Sequence, residues 1–310
     1  MKITITGGAG FIGANLAHHL LSQGAMVTII DDLSSGSLSN LEGLPVEFIE
    51  DSILNPTTRA FDEAEAIVHL GAVPSVPRSV KDPVTSHNAN ATGTLLVMEA
   101  ARKRNAHVIV ASSSSVYGAN PTLPKSEDMR PMPISPYAVS KLATESYAIS
   151  YQHCYDLPTL AFRFFNVFGP LQAPGHAYAA VVPAFTHAAL SGEPLTVHGD
   201  GNQTRDFTYV GTVVDTITDA IQRRVTSLDP INLAFGTRHS LLELISVMET
   251  QLGRELPRQH VEARAGDVKD SQADSSRLLR LFPDIVPVSL DAGLTKTVEW
   301  MRTIITEPKE

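Results

Sequence analysis

The chain has 310 residues, with 24 lysines and arginines against 33 aspartates and glutamates, so its net charge is −9. That balance excludes the dense positive charge on which nucleic-acid binding depends, and no nucleic-acid partner is expected. Hydrophobic residues make up 43% and charged residues 18%, a folded globular profile, and a single cysteine, Cys154, excludes a disulfide framework and a multi-cysteine metal centre, so no metal is expected.

Residues 3–6 are short, apolar and β-branched, which predicts a strand. This run is too short for a secretory signal core, and no apolar stretch reaches the ~18 residues of a membrane span, so a cytoplasmic protein without a membrane partner is expected. The cluster Gly7, Gly8, Gly10 and Gly13 follows, then an apolar-periodic helix over 11–21 that Gly24 terminates. A second strand over 26–30 closes on Asp31 and Asp32. Further strands are predicted over 46–49, 66–70, 107–111, 158–162 and 231–233, with helices over 93–103 and 137–154. Strand–helix alternation with near-continuously apolar strands predicts an α/β fold, a doubly wound parallel sheet covered on both faces. From Asn166 the chain becomes rich in proline and glycine, as expected of a loop-rich smaller lobe. It ends in a helix over 290–303 whose stripe is Leu290, Leu294, Val298 and Met301. The expected division is 1–165, with a returning segment near 206–236, and 166–310.

The spacing Gly7-x-x-Gly10-x-x-Gly13 between strand and helix suits a phosphate site. Glycine allows the tight turn and a close backbone approach, and free helix N–H groups face the anion. Asp31 follows 18 residues after Gly13 at the end of the next strand. A carboxylate there can accept from both ribose hydroxyls and repels a 2′-phosphate, which favours NAD over NADP. Tyr137 and Lys141 lie one helical turn apart on one face. A tyrosine at its reference pKa of about 10 is a poor base, and a nearby ammonium favours the phenolate. The run Ser112, Ser113, Ser114, Ser115 follows a strand at the sheet edge where open α/β folds bind ligands.

Together these residues resemble the extended short-chain dehydrogenase/reductase family, and within it the nucleotide-sugar 4-epimerases. The resemblance extends to His69-Leu70-Gly71-Ala72, Asn90-Ala91-Thr92-Gly93-Thr94, Ser135-Pro136-Tyr137, Arg163 to Pro170, Gly199 to Phe207 and Arg264 to Val268. It implies a Rossmann sheet with a C-terminal substrate-binding lobe and tightly bound NAD. It also implies that Tyr137 is the base, Lys141 its tuner and a ribose ligand, and Ser113 the hydroxyl partner. For the cofactor it implies Gly7, Gly10, Phe11, Ile12, Gly13, Asp31 and Asp32, then Leu70, Gly71, Ala72 and Asn90. Ile53 belongs with them, and Ser52 stands where an aspartate commonly touches adenine, so that contact falls to Ser52, Asp51 or neither. For the nucleotide sugar it implies Asn166, Arg205, Arg264 and Asp267 near the diphosphate, with Ser75, Ser115, Thr196 and His198 completing the pocket. In such enzymes the tyrosine takes the proton of the 4-hydroxyl while hydride passes to NAD, the 4-keto sugar turns over, and both return.

Three positions separate relatives. Family dehydratases carry an Asp-Glu pair after the catalytic serine, where this chain has Ser114-Ser115, so elimination lacks its acid and base. Asn166 favours a neutral hexose over a uronic acid. Ser271 stands where epimerases restricted to plain hexoses carry a tyrosine, and Gln172, Ala179, Ala180 and Val181 resemble those that prefer N-acetylated sugars. A UDP-hexose 4-epimerase that accepts UDP-N-acetylglucosamine is therefore expected, with another NAD-dependent nucleotide-sugar enzyme or a dinucleotide sensor as alternatives. The resemblance implies a homodimer formed through the helices over 93–103 and 137–154.

Overall fold

Period-two alternation along the strands determines how the sheet is buried. Ile67 enters one apolar cluster and its neighbour Val68 another; Ile29 and Ile30 divide the same way, as do Ile109 and its neighbours Val108 and Val110. Successive strand side chains face opposite sides, so a sheet apolar on both must be covered on both.

The computed structural model describes residues 1–55, 58–174, 180–262 and 269–306. The chain begins β1 (Lys2–Thr6), α1 (Phe11–Ser22), β2 (Met26–Asp31), β3 (Glu47–Glu50), β4 (Ala66–His69). Short helices α2 (Val76–Lys81) and α3 (Pro83–His87) lead through a π-helical turn at Asn88–Thr92 into α4 (Gly93–Arg102). Next come β5 (His107–Ser113), α5 (Pro136–Tyr155), β6 (Thr159–Phe164) and β7 (Asn166–Phe168). The remainder holds α6 (Val181–Ser191), β8 (Leu195–His198), β9 (Thr204–Arg205), β10 (Phe207–Tyr209), α7 (Val210–Gln222) and β11 (Ile231–Leu233). After these come β12 (His239–Ser240), α8 (Leu241–Leu252), β13 (Arg258–Val261), α9 (Ser276–Leu281) and α10 (Leu290–Thr306).

Seven parallel strands form one sheet in the order β11-β6-β5-β4-β1-β2-β3. Helices α4 and α5 cover one face with Val97, Met98, Ala148 and Tyr151, and α1 and α7 cover the other with Leu16, Leu20, Val213 and Ile217. The strand order reverses between β1 and β4, the switch point outside which such sheets bind ligands. Strand β11 returns from far along the chain to pair with β6. Three two-stranded sheets, β7 with β10, β9 with β12 and β8 with β13, build the region beyond the main sheet.

The expected strands all form, but helices α2 and α3 were not anticipated. Each carries a proline in its first turn, where the missing N–H costs nothing, and each is capped by a side chain. Ser75 accepts from Arg78 N at 3.2 Å and Asp82 from Thr85 N at 3.0 Å. The region after Asn166 is also more regular than loop-rich, with helices α6 to α10. Its turn residues punctuate short elements, and Ser240 with Glu243 forms a reciprocal capping box that opens α8. No helix among the described residues is long and apolar enough to cross a membrane.

Candidate active site

β1 turns into α1 over four residues whose glycines have separate tasks. Gly7 has φ +71°, and a Cβ there would lie 2.6 Å from the Gly71 nitrogen. A Cβ on Gly13 would lie 2.4 Å from the Gly7 carbonyl oxygen. Gly10 caps α1 without a side-chain bond, and the first turn carries no acid. The N–H groups of Phe11, Ile12 and Gly13 belong to that first turn and have no intrahelical acceptor, so donors and the positive helix end face the same point.

The two acids closing β2 separate here. Asp31 is 8% exposed, with Oδ2 accepting from Ala9 N and Oδ1 from Leu33 N, each at 2.9 Å. Burial pushes its carboxyl above the ordinary range, and the two backbone bonds pull against it. Asp32 turns instead to Ser34 N at 3.0 Å. Asp31 is therefore the acid that faces the glycine turn. At the end of β3, Asp51 N donates to Asp31 O at 3.2 Å, Asp51 Oδ1 accepts from Ser52 N at 2.8 Å, and Ser52 Oγ accepts from Leu54 N at 3.2 Å. Ile53 packs so closely on Gly93 that a Cβ there would lie 2.7 Å from Ile53 Cδ1.

After β4, Leu70 N donates to Thr6 O and Gly71 N to Thr6 Oγ1, both at 3.1 Å, and half-buried Ala72 follows. Asn90 lies in the π-helical turn, with Oδ1 accepting from Val73 N at 2.7 Å and Nδ2 donating to Ser140 Oγ at 2.9 Å. Its amide braces the loop after β4 against α5.

Ser113 ends β5 beside the Tyr137 phenol, and its Oγ accepts from Ser115 N at 3.2 Å. Tyr137 lies in the first turn of α5, which Ser135 caps by accepting from Ala138 N at 3.2 Å. Burial pushes the phenol above its ordinary value, and the neighbouring Ser113 hydroxyl pulls it back. Lys141 is 5% exposed, burial pulls its ammonium down to about 8, and its Nζ donates to Ala111 O at 2.8 Å. Lys141 is thus engaged by the end of β5, one helical turn from the phenol. Ser115 Oγ is buried with no hydrogen-bond partner.

A cleft of about 590 Å³ opens beyond β7. It is lined by Asn166, Ala180, Val181, Thr196, His198 and Arg205, with Phe168, Phe185 and Phe207 as apolar wall. Asn166 Nδ2 donates to Asp206 O at 3.2 Å, Arg205 Nη1 to Thr204 O at 2.9 Å and Lys269 O at 3.1 Å, and His198 Nδ1 lies 3.1 Å from Glu262 O. Ser113, Tyr137 and Lys141 do not line this cleft; the run from β6 into β7 connects it to their sheet edge. Gln172 and Ser271 also lie off it. Gln172 Nε2 donates to Val167 O at 3.2 Å while its Oε1 is buried without a partner, and Ser271 N donates to Thr204 O at 3.1 Å. Ser75 is used as the cap of α2. Arg264, Asp267 and Ala179 fall outside the described residues. The three phenylalanines were not singled out as site residues from sequence, although the strings Arg163 to Pro170 and Gly199 to Phe207 contain Phe168 and Phe207.

A model of the NAD dependent epimerase/dehydratase family matches residues 3–234. The chain belongs to that family. As a member of it, the chain is 37% identical over 311 residues to a UDP-glucose 4-epimerase of Mycolicibacterium smegmatis, covering 97% of this chain and 99% of that one. A UDP-N-acetylglucosamine 4-epimerase from Methanobrevibacter ruminantium, solved in complex with UDP-N-acetylmuramic acid, is 34% identical with a TM-score of 0.93 and covers 98% of both chains. A UDP-glucuronic acid 4-epimerase from Bacillus cereus, solved with UDP-glucuronic acid and NAD, is 31% identical with a TM-score of 0.90, covering 98% of this chain and 100% of that one. In this chain the glycine turn, the acid at the end of β2 and Ser113, Tyr137 and Lys141 lie on one edge of the sheet.

Proposed function

We propose that the chain is an NAD-dependent 4-epimerase of UDP-hexoses that accepts UDP-N-acetylglucosamine as well as UDP-glucose. The observation that carries this reading is the placement of Ser113 at the end of β5 beside the Tyr137 phenol, one helical turn from Lys141, on the same sheet edge as the glycine turn. The similarity to 4-epimerases over nearly the whole chain supports it. The residues present fit NAD: the N–H groups of Phe11, Ile12 and Gly13 in the first turn of α1 have no intrahelical acceptor and no acid beside them, and Asp31 stands next to that turn. Phe11, Ile12 and Gly13 would hold the cofactor diphosphate, Asp31 the adenosine ribose and Lys141 the nicotinamide ribose. When bound, NAD supplies a reversible hydride acceptor for the sugar's C4.

The chain's own part is proton transfer and grip. Tyr137 takes the proton of the 4-hydroxyl and later returns it, while Ser113 holds the phenol in place. Arg205, with Arg264, holds the substrate diphosphate, where a planar guanidinium matches phosphate oxygens. The cleft grips the nucleotide, and the hexose beside Ser113 and Ser115 stays free to turn. Ser114 and Ser115 stand where elimination would need carboxylates, which favours epimerisation over dehydration. In this division residues 1–165 with the segment near 206–236 serve the cofactor, and 166–310 the nucleotide sugar. The protein works as a homodimer in the cytoplasm. The dimer is supported by partly exposed Leu95, Leu96, Leu142 and Tyr147 on α4 and α5, beside Val139 at 51% exposure; the cytoplasm rests on the sequence reading.

A proton-NMR time course with UDP-glucose and UDP-N-acetylglucosamine tests the activity. Interconversion at C4 is expected with both, and Tyr137→Phe should lower kcat by about 10²- to 10⁴-fold, the usual weight of a general base. A keto-deoxy product, or no turnover by protein that retains NAD, overturns the reading.

A further inference from the structure

One buried ion pair joins the three elements that meet at the catalytic serine. Glu145 lies on α5 one turn past Lys141 and two past Tyr137, and Glu145 and Arg163 of β6 are each 2% exposed. Arg163 Nε donates to Glu145 Oε2 at 3.0 Å and Nη2 to Oε1 at 2.7 Å. Ser112 on β5 donates its hydroxyl to the same Oε2 at 2.7 Å and is the direct partner of Arg163 in the pairing of β5 with β6. On its other side the Arg163 guanidinium lies 4.7 Å from the centre of the Tyr117 ring, whose hydroxyl donates to Asn232 Oδ1 at 2.6 Å. Tyr117 closes the short helical turn Ser114–Tyr117 that follows Ser113. Ser113 is thus flanked by two residues bound to one ion pair, and the helix that carries its phenol partner is bound to that pair as well.

We infer that Glu145, with Arg163, is a positioning residue that sets the depth and rotation of α5 against the end of β5, and so how the Tyr137 phenol meets Ser113. A buried ion pair contributes little net stability, because the loss of hydration offsets the attraction, and apolar pairs of similar volume often replace it without loss. Its bidentate geometry supplies direction, which apolar packing does not. Displacement of a reacting group by ~1 Å can cost about 100-fold in rate. Positioning therefore accounts for a charged pair where packing alone would be served by leucine and methionine.

The turnover part of this inference rests on the epimerase reading, so the experiment carries a second readout. Glu145→Gln and the double variant Glu145→Leu with Arg163→Met are compared with the parent for thermal midpoint, retained NAD, kcat, KM and the ring-carbon NMR shift of Tyr137. The double variant should melt within a few degrees of the parent and retain NAD. Its kcat should fall about 10- to 100-fold with KM within about twofold, the signature of an interaction felt mainly in the transition state. The Tyr137 resonance should move as the phenol shifts relative to Ser113. Glu145→Gln, which keeps an acceptor for Ser112, should show a smaller loss and shift, and it carries the test together with Ser112→Ala should the double variant not fold. Folded variants with parental kcat and an unmoved Tyr137 signal would overturn the inference, as would a kcat loss that only follows the fraction unfolded. If the parent turns over no nucleotide sugar the epimerase reading fails, and the Tyr137 shift alone still decides whether the pair positions the phenol.

Discussion

Asp31 and Asp32 are chemically equal neighbours, and only one faces the glycine turn. The difference is backbone direction: Asp31 Oδ2 reaches Ala9 N across the sheet edge, while Asp32 closes a local turn on Ser34 N. Lys141 is similar, since its spacing from Tyr137 was plain in the sequence but its bond to the Ala111 carbonyl was not. A long flexible side chain finds its acceptor only once β5 and α5 are packed. Ser271 carries the specificity prediction. It is half-buried, and its backbone is tied to Thr204, next to Arg205 of the cleft. Ser271→Tyr should lower turnover of UDP-N-acetylglucosamine relative to UDP-glucose by about 10-fold or more, because a bulky ring removes the space of an acetyl group and such steric discrimination is typically worth 1–3 kcal/mol. An unchanged ratio in a competition assay would remove Ser271 from the role.

The strand–turn–helix unit β1–α1 was readable in full, because glycine spacing, strand length and the apolar helix stripe are all local properties. What its glycines avoid is only partly local. Gly7 leaves room for Gly71, more than sixty residues away, whereas Gly13 leaves room for the Gly7 carbonyl. Gly13→Ala should therefore destabilise the fold by about 1–3 kcal/mol, the usual cost of overpacking, and displace the first turn of α1. Loss of co-purifying NAD in a variant that still folds, measured by absorbance after denaturation, checks this. Helices α2 and α3 were missed for a related reason. Five or six residues give too little periodicity to register, and their prolines signal a break unless the cap before each is recognised.

A polar line joins the ends of β1 and β4 to α4 and gives the molecule an acid-sensitive element. Gly71 N donates to Thr6 Oγ1, which lies 2.7 Å from His69 Nδ1, while His69 Nε2 lies 3.0 Å from Thr94 Oγ1, which donates to Asn90 O at 2.5 Å. These directions suit a neutral ring carrying its proton on Nε2. Burial, and then the charge of Lys141, pulls His69 from 6.5 down to about 3. The unfolded chain binds a proton between those values and the fold does not, so this stabilisation is complete above pH 6.5 and is lost as pH falls towards 3. The whole effect is roughly 5 kcal/mol. Urea unfolding at pH 7, 5.5 and 4 should show the decline, with a shallower slope for His69→Gln; equal slopes would assign the acid sensitivity elsewhere. At the same scale, light scattering at micromolar concentration should give twice the chain mass, and a monomer would refute the dimer.

Local periodicity and motif spacing were enough for the parallel α/β class, most strand positions, the glycine turn and the Tyr137–Lys141 spacing, because each depends on residues within one or two turns of one another, whereas Ser113 was reached through the family resemblance. The return of β11 to β6, the choice of Asp31 over Asp32 and the cleft walled by Phe168, Phe185 and Phe207 emerged only from folding. So did the ion pair beneath Ser113. Each of these joins residues far apart along the chain, and such contacts follow from how the layers pack rather than from any short run of amino acids.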